Sequence, residues 1–256
     1  MGAGATCYGL FLGLPNASAA EILAAAGFDW LLVDHEHAPF ELSDILAHLQ
    51  AMAPYNVAPI VRPVDDSPSG LKKMLDIGVQ TFLVPMVDTP EQAERIVRSL
   101  HYPPAGVRGL GTSLARAAAW GQVADYVHRA NDEICLLVQA ETTDALANLS
   151  GILEVHGVDG VFIGPSDLSA SMGHVGNPGH PEVVAAVSAA LATISAAGKY
   201  AGVLCLDPAL AQIYRDSGAN FIGVGVDTMI LANGARELAR RFKGEESASA
   251  ETPAGY

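Results

Sequence analysis

The feature that most restricts the fold of this chain is an alternation repeated eight times. A short run of aliphatic and β-branched residues is followed by a longer segment whose apolar residues recur at helical spacing. The runs fall at residues 7–14, 30–34, 59–64, 81–87, 134–140, 160–164, 201–206 and 221–226. Strands separated by crossover helices lie parallel. Eight such units are what a closed (β/α)8 TIM barrel requires, whereas a doubly wound sheet usually has fewer strands and opens with a G-x-G-x-x-G turn that is missing after the first run. Helix starts are signalled by Ser18, Ser67-Pro68, Thr89-Pro90 and Asp207-Pro208, and helix ends by Gly27, Gly78, Gly198 and Gly218. The reading is an α/β chain with one barrel domain over residues 1–243 and a tail at 244–256, where the periodicity stops. The rhythm breaks at residues 102–131, a long loop of the kind that serves function or an interface.

Composition narrows the partners. With 28 acidic against 14 basic residues the net charge is −14, and the basic residues are dispersed, so nucleic acid is excluded as a partner. No apolar run is long enough for a bilayer, and the N-terminus lacks a basic region ahead of an apolar one; the expectation is a cytoplasmic protein with no membrane partner. Cys7, Cys135 and Cys205 are too few and too far apart for a metal knuckle or a disulfide framework, and read as small apolar strand residues.

Barrel enzymes carry their chemistry at the C-terminal ends of the strands. There this sequence puts Asp34-His35-Glu36-His37, Arg62, Gln139 with Glu141, and Gly164-Pro165-Ser166-Asp167, while the opposite ends offer nothing comparable. Glu141 and Asp167 suit a hard divalent cation, since no thiolate lies near; each can equally cap the helix that follows. The imidazoles at 35 and 37 are too close for a helical metal pair; an oriented histidine there serves either as a proton relay or as loop packing. Arg62, a charge inside PIVRPV, needs an anion, either a substrate or Asp76 or Glu36. Lys72, Lys73, Lys199 and Lys243 all lie away from strand ends, so carbonyl chemistry here calls for a metal ion and not a Schiff base.

The segments WLLVDHEHAPF, PIVRPV, LDIGVQTFLVPMV, HYPPAGVRGLGTSLARAAAW, LLVQAET and GVDGVFIGPSDLSASMGH together resemble, over nearly the whole chain, the class II pyruvate aldolases of the 4-hydroxy-2-oxoheptanedioate (2,4-dihydroxyhept-2-enedioate) aldolase family. Sugar-acid relatives acting on 2-keto-3-deoxy-L-rhamnonate or 5-keto-4-deoxy-D-glucarate share most of these segments; SLARA after the RGLG turn is closer to the heptanedioate branch. The resemblance implies metal-dependent retro-aldol cleavage of a 4-hydroxy-2-oxo acid to pyruvate and an aldehyde. It assigns Glu141 and Asp167 to Mg2+, Mn2+ or Co2+, Arg62 to the C2 oxyanion, His37 to proton transfer, and Asp34 and Asp76 to orienting His37. It implies that Gln139 and the backbone around Ser166 and Asp167 meet pyruvate and that Phe11, Leu204 and Val226 line the aldehyde end. Leu110 matches a position reaching in from a neighbouring subunit of a homohexamer. Two departures stand out: His35 replaces an expected Gly, and Phe11 an expected Trp. The alternatives are a citrate-lyase-like acyl-CoA lyase, which needs a basic phosphate site that the sequence lacks, and a non-catalytic barrel that binds a 2-oxo acid.

Overall fold

The computed structural model describes residues 6–243; the tail expected at 244–256 lies outside them. Among the described residues the strands β1 (Cys7–Leu12), β2 (Trp30–Asp34), β3 (Ala58–Arg62), β4 (Thr81–Val84), β5 (Cys135–Ala140), β6 (Gly160–Ile163), β7 (Tyr200–Leu204) and β8 (Phe221–Val226) are all parallel. They close in sequence order into a barrel, β8 pairing with β1. The connecting helices are α1 (Ala17–Ala24), α2 (Leu42–Met52), α3 (Pro68–Ile77), α4 (Pro90–Leu100), α5 (Tyr126–Arg129), α6 (Thr143–Ala147), α7 (Leu149–Glu154), α8 (Pro165–Ser171), α9 (Pro181–Ala196), α10 (Pro208–Asp216) and α11 (Asp227–Lys243). No described helix is long and apolar enough to cross a membrane.

The twofold period of a strand sorts the side chains into two buried layers. Outward-facing Leu31, Val33, Val61, Val138, Val161 and Ile163 pack with the helices. Inward-facing Phe11, Trp30, Leu32, Ile60, Leu83, Leu137, Phe162 and Phe221 fill the barrel. Trp30 stacks on Phe221 with ring centroids 4.3 Å apart. That packing needs Gly9, because a Cβ there would lie 1.9 Å from the indole. Counting on by two along the inner face places Asp34 after Leu32, Arg62 after Ile60 and Gln139 after Leu137. The alternation that fills the lower barrel with hydrocarbon thus aims these polar groups into its mouth.

The helix ends behave as expected at Gly27, Gly78, Gly198 and Gly218, all with positive φ. Thr89 and Asp207 cap α4 and α10 through their side chains, whereas Ser67 occupies the N-cap of α3 without a side-chain bond. One start is corrected. Asn16, not Ser18, caps α1, accepting from the backbone N–H of Ser18 and Ala19; the extended backbone at 16 directs the amide oxygen back over the first turn.

Two regions depart from a plain barrel. Residues 101–134 hold only the single turn α5 and 3-10 turns, and expose Val107, Leu110, Leu114 and Trp120. The helix that follows β8, α11, is anchored at its start, where Asp227 accepts from the backbone N–H of Gly13 and Leu14. Beyond Asp227 it buries no residue, and Ile230, Leu231, Leu238 and Phe242 stand exposed.

Candidate active site

A cavity of about 360 Å³ opens at the C-terminal ends of the strands, lined by Phe11, Asp34, His37, Arg62, Gln139, Phe162, Gly164, Pro165, Ser166, Asp167, Leu204 and Val226. A depression of about 440 Å³ lies between the start of β4 and the 101–134 segment. We favour the smaller cavity because polar groups from several strand ends converge there, as barrel chemistry requires.

Arg62 is the cation of this mouth. It lies opposite Asp34 in the β2–β3 register. Nε donates to Asp34 Oδ1 at 2.9 Å and Nη2 to Oδ2 at 2.7 Å, a two-pronged pair that fixes the guanidinium plane. Nη1 points to Gln139 Oε1 at 3.4 Å, and the group sits 5.4 Å from the centre of the Phe11 ring. Glu36 Oε2 approaches Nε to 3.1 Å, outside hydrogen-bonding geometry. Of the internal partners anticipated for Arg62, Glu36 is present and Asp76 is not.

Glu141 follows β5 and is 1% exposed. It accepts from the backbone N–H of Met86 at 2.9 Å and from the Gln139 amide. Met86 holds a positive φ of 54° to make that bond, a conformation that costs a side-chain-bearing residue free energy. The capping role is excluded for Glu141, because Thr142 caps α6. Asp167 lies in the first turn of α8, exposed in the cavity wall, and is not its N-cap, which is Gly164. A Cβ at Gly164 would stand 2.5 Å from Glu141 Oε2, so glycine there keeps the approach to that oxygen open.

Burial pushes the Glu141 carboxyl up to about 7, and the Asp167 and Glu36 charges add to this against hydrogen bonds from Gln139 and Met86. Among the described residues no lysine or arginine pairs with Glu141 or Asp167. A buried carboxylate beside a second one, without thiolate, fits a hard divalent cation. The metal-free fold favours protonated Glu141, so its stability contribution is present below the ordinary carboxylate pKa and is lost as the pH rises through about 7. A cation held by Glu141 would need the ionised form. Mn2+ affinity is therefore expected to be about tenfold weaker at pH 6 than at pH 8. Calorimetric titration at the two pH values checks this, and equal affinities would contradict it.

The ring of His37 lies at the lip, its side chain 63% exposed, with Nε2 3.6 Å from Glu36 Oε2. The expected orientation by Asp34 takes a different form. Asp34 spends its oxygens on Arg62 and on the backbone N–H of Glu36 and His37, shaping the turn and not the ring. Asp76, on α3, is bound to Arg108 at 3.2 Å and does not line the cavity of its own chain. Leu110 is exposed on the long segment, also away from the cavity. His35 donates its backbone N–H to Arg62 O at 3.0 Å and does not line the cavity. Sequence reading missed Phe162, which lies opposite Gln139 in the β5–β6 register and tilts against Phe11 with ring centroids 6.1 Å apart.

Residues 7–234 match the model of the HpcH/HpaI aldolase/citrate lyase family, and the chain belongs to this family of barrel enzymes. It is 55% identical over 248 residues to a hydroxypyruvate/pyruvate aldolase of Pseudomonas aeruginosa, covering 97% of this chain and 92% of that protein. It is 53% identical over 247 residues to a 4-hydroxy-2-oxo-heptane-1,7-dioate aldolase of Salmonella typhi, covering 96% and 94%. The crystal structure of a HpcH/HpaI aldolase/citrate lyase family protein from Burkholderia cenocepacia superposes with a TM-score of 0.89 at 37% identity, covering 93% of this chain and 95% of that one.

Proposed function

We propose that this chain is a class II pyruvate aldolase. It cleaves a 4-hydroxy-2-oxo acid, such as 4-hydroxy-2-oxoheptanedioate, reversibly to pyruvate and an aldehyde with Mg2+, Mn2+ or Co2+ as cofactor. The observation that carries the reading is the convergence at one barrel mouth of a fixed guanidinium, Asp167 in the cavity wall and Glu141 buried behind the lining residue Gly164, in a chain more than half identical to curated aldolases. None of the four lysines lines that cavity, which argues against a Schiff base.

Glu141 and Asp167 would hold the cation, whose charge polarises the keto oxygen of the substrate. Arg62, held in plane by Asp34, presents its remaining N–H groups to the negative charge that develops on the C2 oxygen. Gln139 braces Arg62 and Glu141 at once. The substrate carboxylate lies against the first turn of α8 at Ser166 and Asp167. In cleavage the C4 hydroxyl gives up its proton, the C3–C4 bond breaks, and its electron pair passes into the pyruvate enolate, which then takes a proton at C3. His37, at the lip with Glu36 beside Nε2, carries the hydroxyl proton by way of water. Phe11, Phe162, Leu204 and Val226 form the apolar end that receives the aldehyde.

We place the enzyme in the cytoplasm as a homohexamer. The support for assembly is α11, which leaves four large apolar side chains without cover, and the exposed Val107, Leu110, Leu114 and Trp120 of the 101–134 segment. Such an assembly would bring Leu110 to a neighbour's site. The test is chelator-stripped protein assayed with pyruvate or hydroxypyruvate and a panel of aldehydes, products identified by mass. Carbon–carbon bond formation restored by Mg2+, Mn2+ or Co2+ is expected; covalent trapping of pyruvate by borohydride would contradict the proposal. A barrel that merely binds a 2-oxo acid would give no product.

A further inference from the structure

The segment between α8 and α9 and the first turn of α9 bring together three metal-ligating side chains that the aldol chemistry leaves unused. Positive φ at Gly173 (84°) and Gly176 (72°) lets residues 172–180 fold back on themselves. The His174 N–H donates to Ser169 O at 2.7 Å, Asn177 N to His174 O at 3.0 Å, and His180 N to Asn177 O at 3.1 Å. The fold-back stacks the His174 and His180 rings with centroids 3.6 Å apart and planes 15° apart. It also leaves His174 Nε2 2.9 Å from Glu182 Oε2. One ligand atom from each of the three residues lies within 4.8 Å of the other two.

The hydrogen bond of 2.9 Å between His174 Nε2 and Glu182 Oε2 would have to open by only about 0.4 Å to reach the ligand separation of ~3.3 Å set by a tetrahedral cation at about 2.0–2.1 Å from each. The His180 ring completes the set once it turns out of the stack, since a cation lies in the plane of the imidazole that binds it; its present bond, from the Glu182 N–H to Nδ1, is long at 3.3 Å. A set of two imidazoles and one carboxylate selects borderline ions of the zinc class, unlike the oxygen-only pair in the barrel.

We propose that His174, His180 and Glu182 form a second cation site, for Zn2+ or a similar nitrogen-preferring divalent ion, separate from the barrel mouth. None of the three lines that cavity. A cation there would clamp the end of α8 to the start of α9.

The test is equilibrium dialysis of the chelator-stripped full chain against micromolar zinc chloride, with bound zinc counted. Wild type should hold one more equivalent per chain than His174→Phe, which keeps a ring against His180, and one more than Glu182→Gln. The difference of one equivalent is read whatever the barrel mouth holds, so it stands or falls apart from the aldolase reading. In a Glu141→Gln background zinc should still raise the melting temperature, and adding His174→Phe should abolish that rise. Equal zinc content in wild type, His174→Phe and Glu182→Gln, all folded by circular dichroism, would overturn the proposal. So would an extra equivalent taken up only at millimolar zinc.

Discussion

Arg62→Ala is expected to lower aldol turnover on the order of a hundredfold or more, the usual cost of removing a donor from a developing oxyanion. The effect is large because Arg62 is the only basic side chain, apart from His37, among the residues lining the cavity. Its plane is set by two bonds to Asp34 and one to Gln139. The substitution also strands the buried Asp34 and the half-buried Glu36 without their cation, so a loss of fold stability of about 3–5 kcal/mol accompanies it. Turnover is therefore compared at a temperature where both proteins are folded. Arg62→Lys, which restores charge without the fork, should recover only part of the rate. His37→Ala should instead slow the steps that move the hydroxyl proton while leaving pyruvate affinity near wild type. Equal and complete loss of pyruvate binding in the Arg62 and His37 variants would contradict this division of labour.

Glu141→Gln is expected to remove metal-supported turnover and yet to stabilise the metal-free fold at pH 8. The wild-type carboxyl, pushed up to about 7 by burial, must ionise at that pH without a cation beside it. A neutral amide of the same shape escapes that penalty, a gain of order a few kcal/mol at most. Below pH 5 the wild-type group is protonated and the two proteins should melt together. Thermal melts of chelator-treated protein at both pH values check the sign. A variant less stable than wild type at pH 8 would mean that the bonds from Met86 and Gln139 outweigh burial.

Most of the barrel was legible in the sequence because a parallel strand buried on both faces leaves an unbroken apolar run, as in residues 30–33 and 160–163. Turn residues then mark its ends. The strand ends were overestimated by one to three residues at β1, β3, β4, β6 and β7, where apolar residues such as Val64 and Val87 continue past the last ladder bond. Asp34, Arg62, Gln139 and Asp167 were readable as polar residues at strand ends, and the structure gathers them around one cavity. Phe162 was not, since an aromatic in GVFIG looks like any core residue until the register shows it level with Gln139. The partner of Asp76 was not legible either, because Arg108 comes from an irregular segment with no periodicity to place it. The uncovered side of α11 is invisible to pattern reading, which gives a helix its face and not what the face meets.

Proton exchange on pyruvate tests the central claim most directly. If the cavity makes an enolate with Glu141, Asp167 and Arg62, then the chain with a divalent cation and pyruvate, but no aldehyde, should replace the methyl protons of pyruvate with deuterium from heavy water. The apolar end of the cavity takes no part in that step, so exchange should survive changes at Leu204 or Val226, disappear in Glu141→Ala and fall sharply in Arg62→Ala. Proton NMR of the methyl signal over time provides the rate. Exchange well above the cation-only background is the predicted result; a preparation that binds pyruvate but shows no exchange beyond that background would contradict it.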